Sequence, residues 1–116
     1  MGNLNLKTRI AFTNSEVSVL EAEGELDINT VGDFENALGD FMRKKKFKIV
    51  LNFGKLTYIS SAGIGVVVGN LKEIRKNRGD IRISNVNQEI FKVFDLLELR
   101  SILHIFKTEM EAVQKF

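Results

Sequence analysis

Residues 47–76 read FKIVLNFGKLTYISSAGIGVVVGNLKEIRK, and this stretch decides the fold. Its first part, Phe47–Phe53, is short, β-branched and apolar at nearly every position, which predicts a central strand covered on both faces. Further on, the apolar residues recur at the spacing of one helix face: Ile64, Val67, Val68, Leu71 and Ile74. Gly79 is a stop signal, so we expect a helix that begins near Ser61. The stretch between them, Leu56–Gly65, is expected to be the connecting loop.

Upstream of this stretch the sequence predicts two strands and a helix. Alternating polar and apolar residues predict strands at Leu4–Ile10 and Val17–Leu26. The run from Thr30 to Asp33 matches a capping box, in which the Thr30 hydroxyl would satisfy free N–H groups at a helix start. An apolar stripe at helical spacing supports that helix: Val31, Phe34, Leu38 and Phe41.

Downstream the same alternation of element types continues. We expect a strand at Ile81–Ser84, a short helix capped by Asn87, a strand at Leu103–Phe106 and a terminal helix that begins at a second capping box, Thr108–Glu111. The order β-β-α-β-α-β-α-β-α predicts an α/β fold. Its strand–helix–strand units give parallel crossovers, while the first two strands form a hairpin, so we expect a mixed sheet covered by helices. Residues 1–116 are expected to form one domain.

Composition excludes several classes of function. The 116 residues contain no Cys and a single His, His104, which excludes thiol chemistry and His-cluster metal sites within one chain. No phosphate-binding loop or Gly-x-Ser-x-Gly motif is present. The net charge of +2 is too small to indicate nucleic acid, and no apolar run reaches the ~18 residues of a membrane helix. These absences disfavour an enzyme, and we expect no cofactor or metal. The N-terminus has no apolar core of the secretory type, so we expect a cytoplasmic protein.

The segment from Tyr58 to Gly65 carries the chemistry. Ser60 and Ser61 stand where the second helix is expected to begin. One interpretation is capping, because a serine oxygen there accepts hydrogen bonds from first-turn N–H groups. The other interpretation is functional, because a helix N-terminus favours a phosphate group. Gly63 and Gly65 would let a phosphate or a partner approach the backbone closely.

Together with Gly24–Asp27, this segment resembles the STAS domain, and more narrowly the stand-alone bacterial anti-sigma factor antagonists. The resemblance covers essentially the whole chain, and the family has the element order predicted above. The usual loop of the family is Asp-Ser-Ser/Thr-Gly. Here Ser60 replaces the Asp and Ala62 replaces the second hydroxyl residue.

The resemblance implies a protein-binding switch, not an enzyme. Such an antagonist, when unphosphorylated, binds an anti-sigma factor that is also a serine kinase, and this binding releases the sigma factor. Phosphorylation of the loop serine ends the complex, and a serine phosphatase resets the switch. The resemblance places the phosphate on Ser61, with Ser60 as a competing acceptor. The partner-binding residues it implies are Asp27, Asn29, Tyr58, Ser60, Ala62, Gly63, Ile64 and Gly65.

Other functions remain open at this point. A non-switched STAS module could act as a scaffold or a ligand sensor, and a small enzyme is disfavoured because no general base, metal cluster or phosphate loop is present. The basic cluster Arg43–Lys46 with Lys48 is interpreted as a solvated helix end, with a site for phosphate or an acidic partner as the alternative. Gly65 and Gly69 form a small-residue strip that could serve helix-on-sheet contact. We expect a monomer or a weak dimer, without direct contact to nucleic acid or membrane.

Overall fold

Strands and helices alternate in a computed structural model that describes residues 3–116; residues 1 and 2 of the expected domain lie outside the described residues. The strands are β1 (Leu4–Ile10), β2 (Ser18–Leu26), β3 (Lys48–Ile59), β4 (Asp80–Ser84) and β5 (His104–Phe106). The helices are α1 (Val31–Arg43), α2 (Ser61–Lys76), α3 (Gln88–Leu96) and α4 (Glu109–Gln114), with a 3-10 turn at Leu99–Ser101. The predicted order of elements is confirmed.

The strands form one sheet in the order β1-β2-β3-β4-β5. β1 pairs antiparallel with β2, and the remaining neighbours pair in parallel, so the expected mixed sheet is confirmed. In the register of β2 and β3, Leu26 lies beside Ile59. These two strands therefore end side by side, and the residues that follow them meet at one edge of the sheet.

Helices cover the sheet on both faces. The larger core lies under α1, α2 and α3, where Phe34, Val67 and Phe94 are fully buried. On the opposite face, α4 places Ala112 and Val113 in a smaller buried cluster. Both predicted helical stripes are buried at most of their positions, although Val31 and Val68 are only partly buried. Among residues 3–116, no helix has both the length and the apolar character needed to cross a membrane.

The predicted end of β3 is wrong. The strand continues to Ile59 instead of ending at Phe53, and Leu56 and Ile59 are buried. Two register shifts in the pairing with β2 let the strand pass Gly54 without losing its partner. Of the expected loop Leu56–Gly65, residues 56–59 belong to the strand and residues 61–65 belong to α2, so Ser60 alone connects β3 to α2.

The predicted capping box at Thr30 is also wrong. The Thr30 hydroxyl donates to the backbone oxygen of Glu25 at 2.8 Å and accepts the N–H of Asp27 at 2.9 Å, so it faces back towards β2. The carboxylate of Asp27 accepts the N–H groups of Asn29 and Thr30 at 2.9 and 3.1 Å. A carboxylate is the stronger acceptor, so Asp27 organises the turn into α1 and leaves the Thr30 hydroxyl to the strand.

The other two predicted caps are confirmed. The Asn87 side chain accepts the N–H of Ile90 at 2.8 Å, and the Thr108 hydroxyl accepts the N–H of Glu111 at 3.2 Å. These contacts satisfy N–H groups that the helices α3 and α4 cannot pair internally.

A half-buried ion-pair network fastens α4 to the sheet. The Arg9 guanidinium donates to Glu21 at 2.7 Å and to Glu109 at 2.6 Å, and the Asn52 amide donates to Glu109 at 2.9 Å. Burial by itself would raise the pKa of Glu109, but the hydrogen bonds from Arg9 and Asn52 outweigh it and lower the pKa of that carboxyl below its ordinary value.

Candidate functional site

The candidate site lies where β2 and β3 end. The N–H of Ser60 donates to the backbone oxygen of Leu26 at 2.9 Å, which continues the pairing of the two strands by one residue. Asp27 follows β2 and Ser60 follows β3, so the two strands bring these residues to the same edge of the sheet. The N-terminus of α2 opens at this edge.

The two serines have different environments. Ser60 is the N-cap of α2: its backbone oxygen accepts the N–H of Ile64 at 3.1 Å, and its hydroxyl accepts the N–H of Gly63 at 3.5 Å. The capping interpretation therefore applies to Ser60, although 3.5 Å is long for a hydrogen bond. Ser61 is the first helical residue and is exposed, whereas Ser60 is half-buried.

The glycines of α2 divide into two kinds. A Cβ atom at Gly63 would lie 2.7 Å from Leu26 Cγ and 3.2 Å from Ile59 Cγ1, so only glycine lets the helix begin this close to the strand ends. A Cβ atom at Gly65 or Gly69 would meet no heavy atom within 4 Å, and both residues are exposed. The strip formed by Gly65 and Gly69 therefore faces away from the sheet and serves no helix-on-sheet contact.

Asp27 has a structural task at this edge. Its half-buried carboxylate holds the turn into α1 through the N–H groups of Asn29 and Thr30. Ile28, which lies between Asp27 and Asn29, is 73% exposed in this turn. Ile28 was not predicted as a site residue; an apolar residue in the otherwise polar run Asp27–Thr30 was the signal that could have found it.

The structure brings the residues implied by the resemblance to one edge, but at different depths. Tyr58 is the next-to-last residue of strand β3 and is 50% exposed, and Asn29 and Gly65 are exposed as well. Ala62 is half-buried. Gly63 and Ile64 are buried, so they pack the start of α2 against the sheet and do not form part of the exposed surface.

Family comparison agrees with this architecture. The STAS domain model matches residues 9–112, which is most of the chain, and the protein belongs to the STAS domain family.

Among the members of this family, several anti-sigma factor antagonists are similar to the chain over nearly its whole length. The chain is 32% identical over 110 residues to the anti-sigma-B factor antagonist of Staphylococcus aureus strain NCTC 8325, covering 94% of this chain and 99% of that protein. A proposed anti-sigma factor antagonist from Thermotoga maritima superposes with a TM-score of 0.83 at 27% identity, covering 95% and 92% of the two chains. The Bacillus cell fate determinant SpoIIAA, solved in its phosphorylated form, shares the fold with a TM-score of 0.69 at 24% identity, covering 94% and 98%.

Proposed function

We propose that this protein is an anti-sigma factor antagonist that binds a kinase-type anti-sigma factor and is released when Ser61 is phosphorylated. The observation that carries the proposal is the exposed serine at the first position of α2, one residue after the serine that caps the helix. Membership of the STAS family and the relatives named as anti-sigma factor antagonists support the same function.

The surface around Ser61 suits a protein partner. Ile28 and Tyr58 expose apolar area at the edge of the sheet where α2 begins. Gly65 and Gly69 leave part of the exposed face of α2 without side chains, so a partner could approach the helix backbone closely. Ser61 and Gly65 are four positions apart on α2 and therefore lie on the same face, so a partner that covers Gly65 would also cover the hydroxyl of Ser61.

A phosphate on Ser61 would change this surface without unfolding it. It adds about −1.5 to −2 charges, and the free N–H groups at the N-terminus of α2 favour a negative charge at that position. The first turn of α2 contains no acidic residue that would repel the phosphate. Burying such a group unpaired in a contact costs several kcal/mol, whereas a tenfold loss of affinity needs only about 1.4 kcal/mol. Desolvation and repulsion are therefore sufficient for release.

Accessibility favours Ser61 over Ser60 as the acceptor. Ser60 is half-buried, and its N–H, its backbone oxygen and its hydroxyl already take part in hydrogen bonds to Leu26, Ile64 and Gly63. A kinase would have to break the cap to reach Ser60, while Ser61 is reached from solvent.

Phosphate mapping tests the acceptor. The purified protein is incubated with ATP and lysate of its native host, and the phosphate is located by peptide mass spectrometry. We expect phosphate on Ser61 and none in the Ser61→Ala variant. Phosphate on Ser60 would correct the acceptor, and its absence from both serines under several growth conditions would refute the switch.

Binding measurements test the switch separately. The partner to be tested is a kinase-type anti-sigma factor from the native host, held in the presence of a non-hydrolysable ATP analogue. We expect Ser61→Asp to weaken binding at least about tenfold. The matched control is Thr13→Asp, which adds the same charge at an exposed position of the β1–β2 hairpin. Binding that is equally insensitive to both changes would favour a STAS module that acts without a switch.

A further inference from the structure

The end of the molecule opposite Ser61 is strongly basic. The helices α1 and α2 both end there. The basic residues at these helix ends and just after them are named the basic end: Lys44, Lys45, Lys46, Lys48, Lys76 and Arg78. The N–H of Asp80 donates to the backbone oxygen of Phe47 at 2.9 Å, and a Cβ atom at Gly79 would lie 1.8 Å from that same oxygen. This close approach fixes the two basic turns side by side.

Both turns are built in the same way. After α1, the N–H of Lys46 donates to Phe41 O at 2.8 Å and the N–H of Lys45 donates to Met42 O at 3.0 Å. After α2, the N–H groups of Gly79 and Arg78 make the equivalent bonds to Ile74 O and Arg75 O, both at 3.0 Å. These pairs of bonds define a Schellman motif, which needs a left-handed residue after the helix.

In both motifs a cation occupies the left-handed position. Lys45 has φ 58° and Arg78 has φ 66°. Glycine is the usual residue there because a Cβ atom makes this backbone conformation less favourable. The chain thus places a basic side chain twice at a position where it works against backbone preference.

Most of these cations lack a carboxylate partner. Within the part of the chain that the structure describes, Lys48 pairs with Glu16 at 2.9 Å, whereas no carboxylate lies within 4.0 Å of Lys45, Lys46 or Arg78. Favourable interaction with a helix dipole is limited to the last turn, so it accounts for Lys44 and Lys76 better than for these three, which follow the helix ends.

A groove of about 390 Å³ lies between the two basic turns. Lys45, Lys46 and Arg78 line it, together with Phe47 and the hydrogen-bonding side chains of Ser15 and Asn77. The volume is in the range of sites for small ligands, and three unpaired positive charges surround it.

We propose that this groove binds a soluble ligand that carries two or more phosphate groups. The three unpaired cations match the charge of such a ligand, and arginine and lysine are both well suited to phosphate oxygens. The concave shape favours a small ligand over a flat anionic membrane. The carboxylate of Glu16 also lines the groove and is paired with Lys48. This proposal is independent of the proposed switch at Ser61.

Calorimetric titration of the full chain with inorganic triphosphate tests the proposal. We expect one saturable site that weakens as salt is raised, because screening reduces exposed charge interactions. The variant Lys45→Gln/Lys46→Gln/Arg78→Gln should bind about tenfold more weakly or worse. A charge-matched control, Lys55→Gln/Lys92→Gln/Lys107→Gln, removes three exposed cations elsewhere and should change affinity by less than about twofold. Far-UV circular dichroism checks that both variants fold.

Three outcomes would overturn the proposal. The first is no saturable binding of triphosphate at millimolar concentration. The second is an equal loss of affinity in the two triple variants, since this would mean that net charge alone attracts the ligand. The third is co-sedimentation with phosphatidylserine vesicles without triphosphate binding, which would assign the basic end to a membrane surface. Backbone amide shifts confined to residues 45–48 and 77–79 would support the groove.

Discussion

Replacing Gly65 with alanine is expected to stabilise the free protein, whereas the same replacement at Gly63 is expected to destabilise it. Gly65 is the fifth residue of α2, is exposed, and has no heavy atom within 4 Å of an added Cβ atom. Alanine is more favourable than glycine in a helix interior by about 0.8–1.0 kcal/mol. With no contact to oppose it, the free energy of unfolding should rise by about that amount.

At Gly63, packing decides whether an added methyl group stabilises or destabilises the protein. The added Cβ atom would lie 2.7 Å from Leu26 Cγ and 3.0 Å from Leu26 Cδ2, both inside ordinary contact distance. Overpacking of this kind costs about 1–3 kcal/mol, which outweighs the gain in helix propensity. We therefore expect Gly63→Ala to lower the free energy of unfolding by up to about 2 kcal/mol, and the two variants to differ by about 1–3 kcal/mol.

Urea unfolding followed by circular dichroism measures both changes, with the slope of the transition checked for constancy. Gly65→Ala should raise the melting temperature by roughly 3–5 °C. Gly69→Ala is the matched control, because its Cβ atom also meets nothing within 4 Å, and it should shift stability in the same direction as Gly65→Ala. If Gly63→Ala and Gly65→Ala shift stability in the same direction, the packing argument for α2 is refuted. On the proposed function, Gly65→Ala should also weaken partner binding despite the stabler fold.

Three other expectations concern stability. Gly79→Ala should cost about 3 kcal/mol or prevent folding, because its Cβ atom would lie 1.8 Å from the backbone oxygen of Phe47; soluble yield and urea unfolding measure this. Thr108→Ala should lower the free energy of unfolding, measured by urea unfolding, by about 1 kcal/mol through loss of the α4 cap. Thr108→Ser keeps a capping hydroxyl and should retain most of that stability. Glu109→Gln should destabilise the protein at neutral pH, because the interactions with Arg9 that lower the pKa of Glu109 favour the folded state only while the carboxyl is ionised. The difference in free energy of unfolding between the unaltered protein and Glu109→Gln should shrink as the pH falls below the ordinary carboxyl range and through the lowered pKa of Glu109. A difference that stays constant across the pH series would contradict this prediction.

Periodicity was sufficient to predict most of the fold. The helical spacing of Phe34, Leu38 and Phe41 and the apolar run after Phe47 reflect burial directly, because one side of each element must face the core. The caps at Asn87 and Thr108 were predictable for a related reason, since their partners lie three residues away.

The features that sequence reasoning missed depend on neighbours distant along the chain. β3 continues past Gly54 because β2 shifts its register to stay paired, and nothing within residues 53–59 reveals that partner. The Thr30 hydroxyl turns back towards Glu25 because Asp27 is the competing acceptor in the same turn. Local patterns identify candidate donors and acceptors, but they do not rank them.

The same limit applies to the candidate site. The sequence located Ser60 and Ser61 at a helix start, but their division into a capping residue and an exposed residue depends on where the helix begins to within one position. Gly63 and Gly65 look equivalent in the sequence, and only the position of Leu26 distinguishes them.

The single-residue connection between β3 and α2 has a consequence for how a signal would be held. With only Ser60 between a paired strand and a helix, there is no slack in the chain beside Ser61 that could relax into a second arrangement. On the proposed function, the released state therefore depends on the phosphate ester on Ser61 and not on a second conformation of the chain. It persists until that ester is hydrolysed. The duration of the signal would then be set by the kinase that forms this ester and the phosphatase that hydrolyses it.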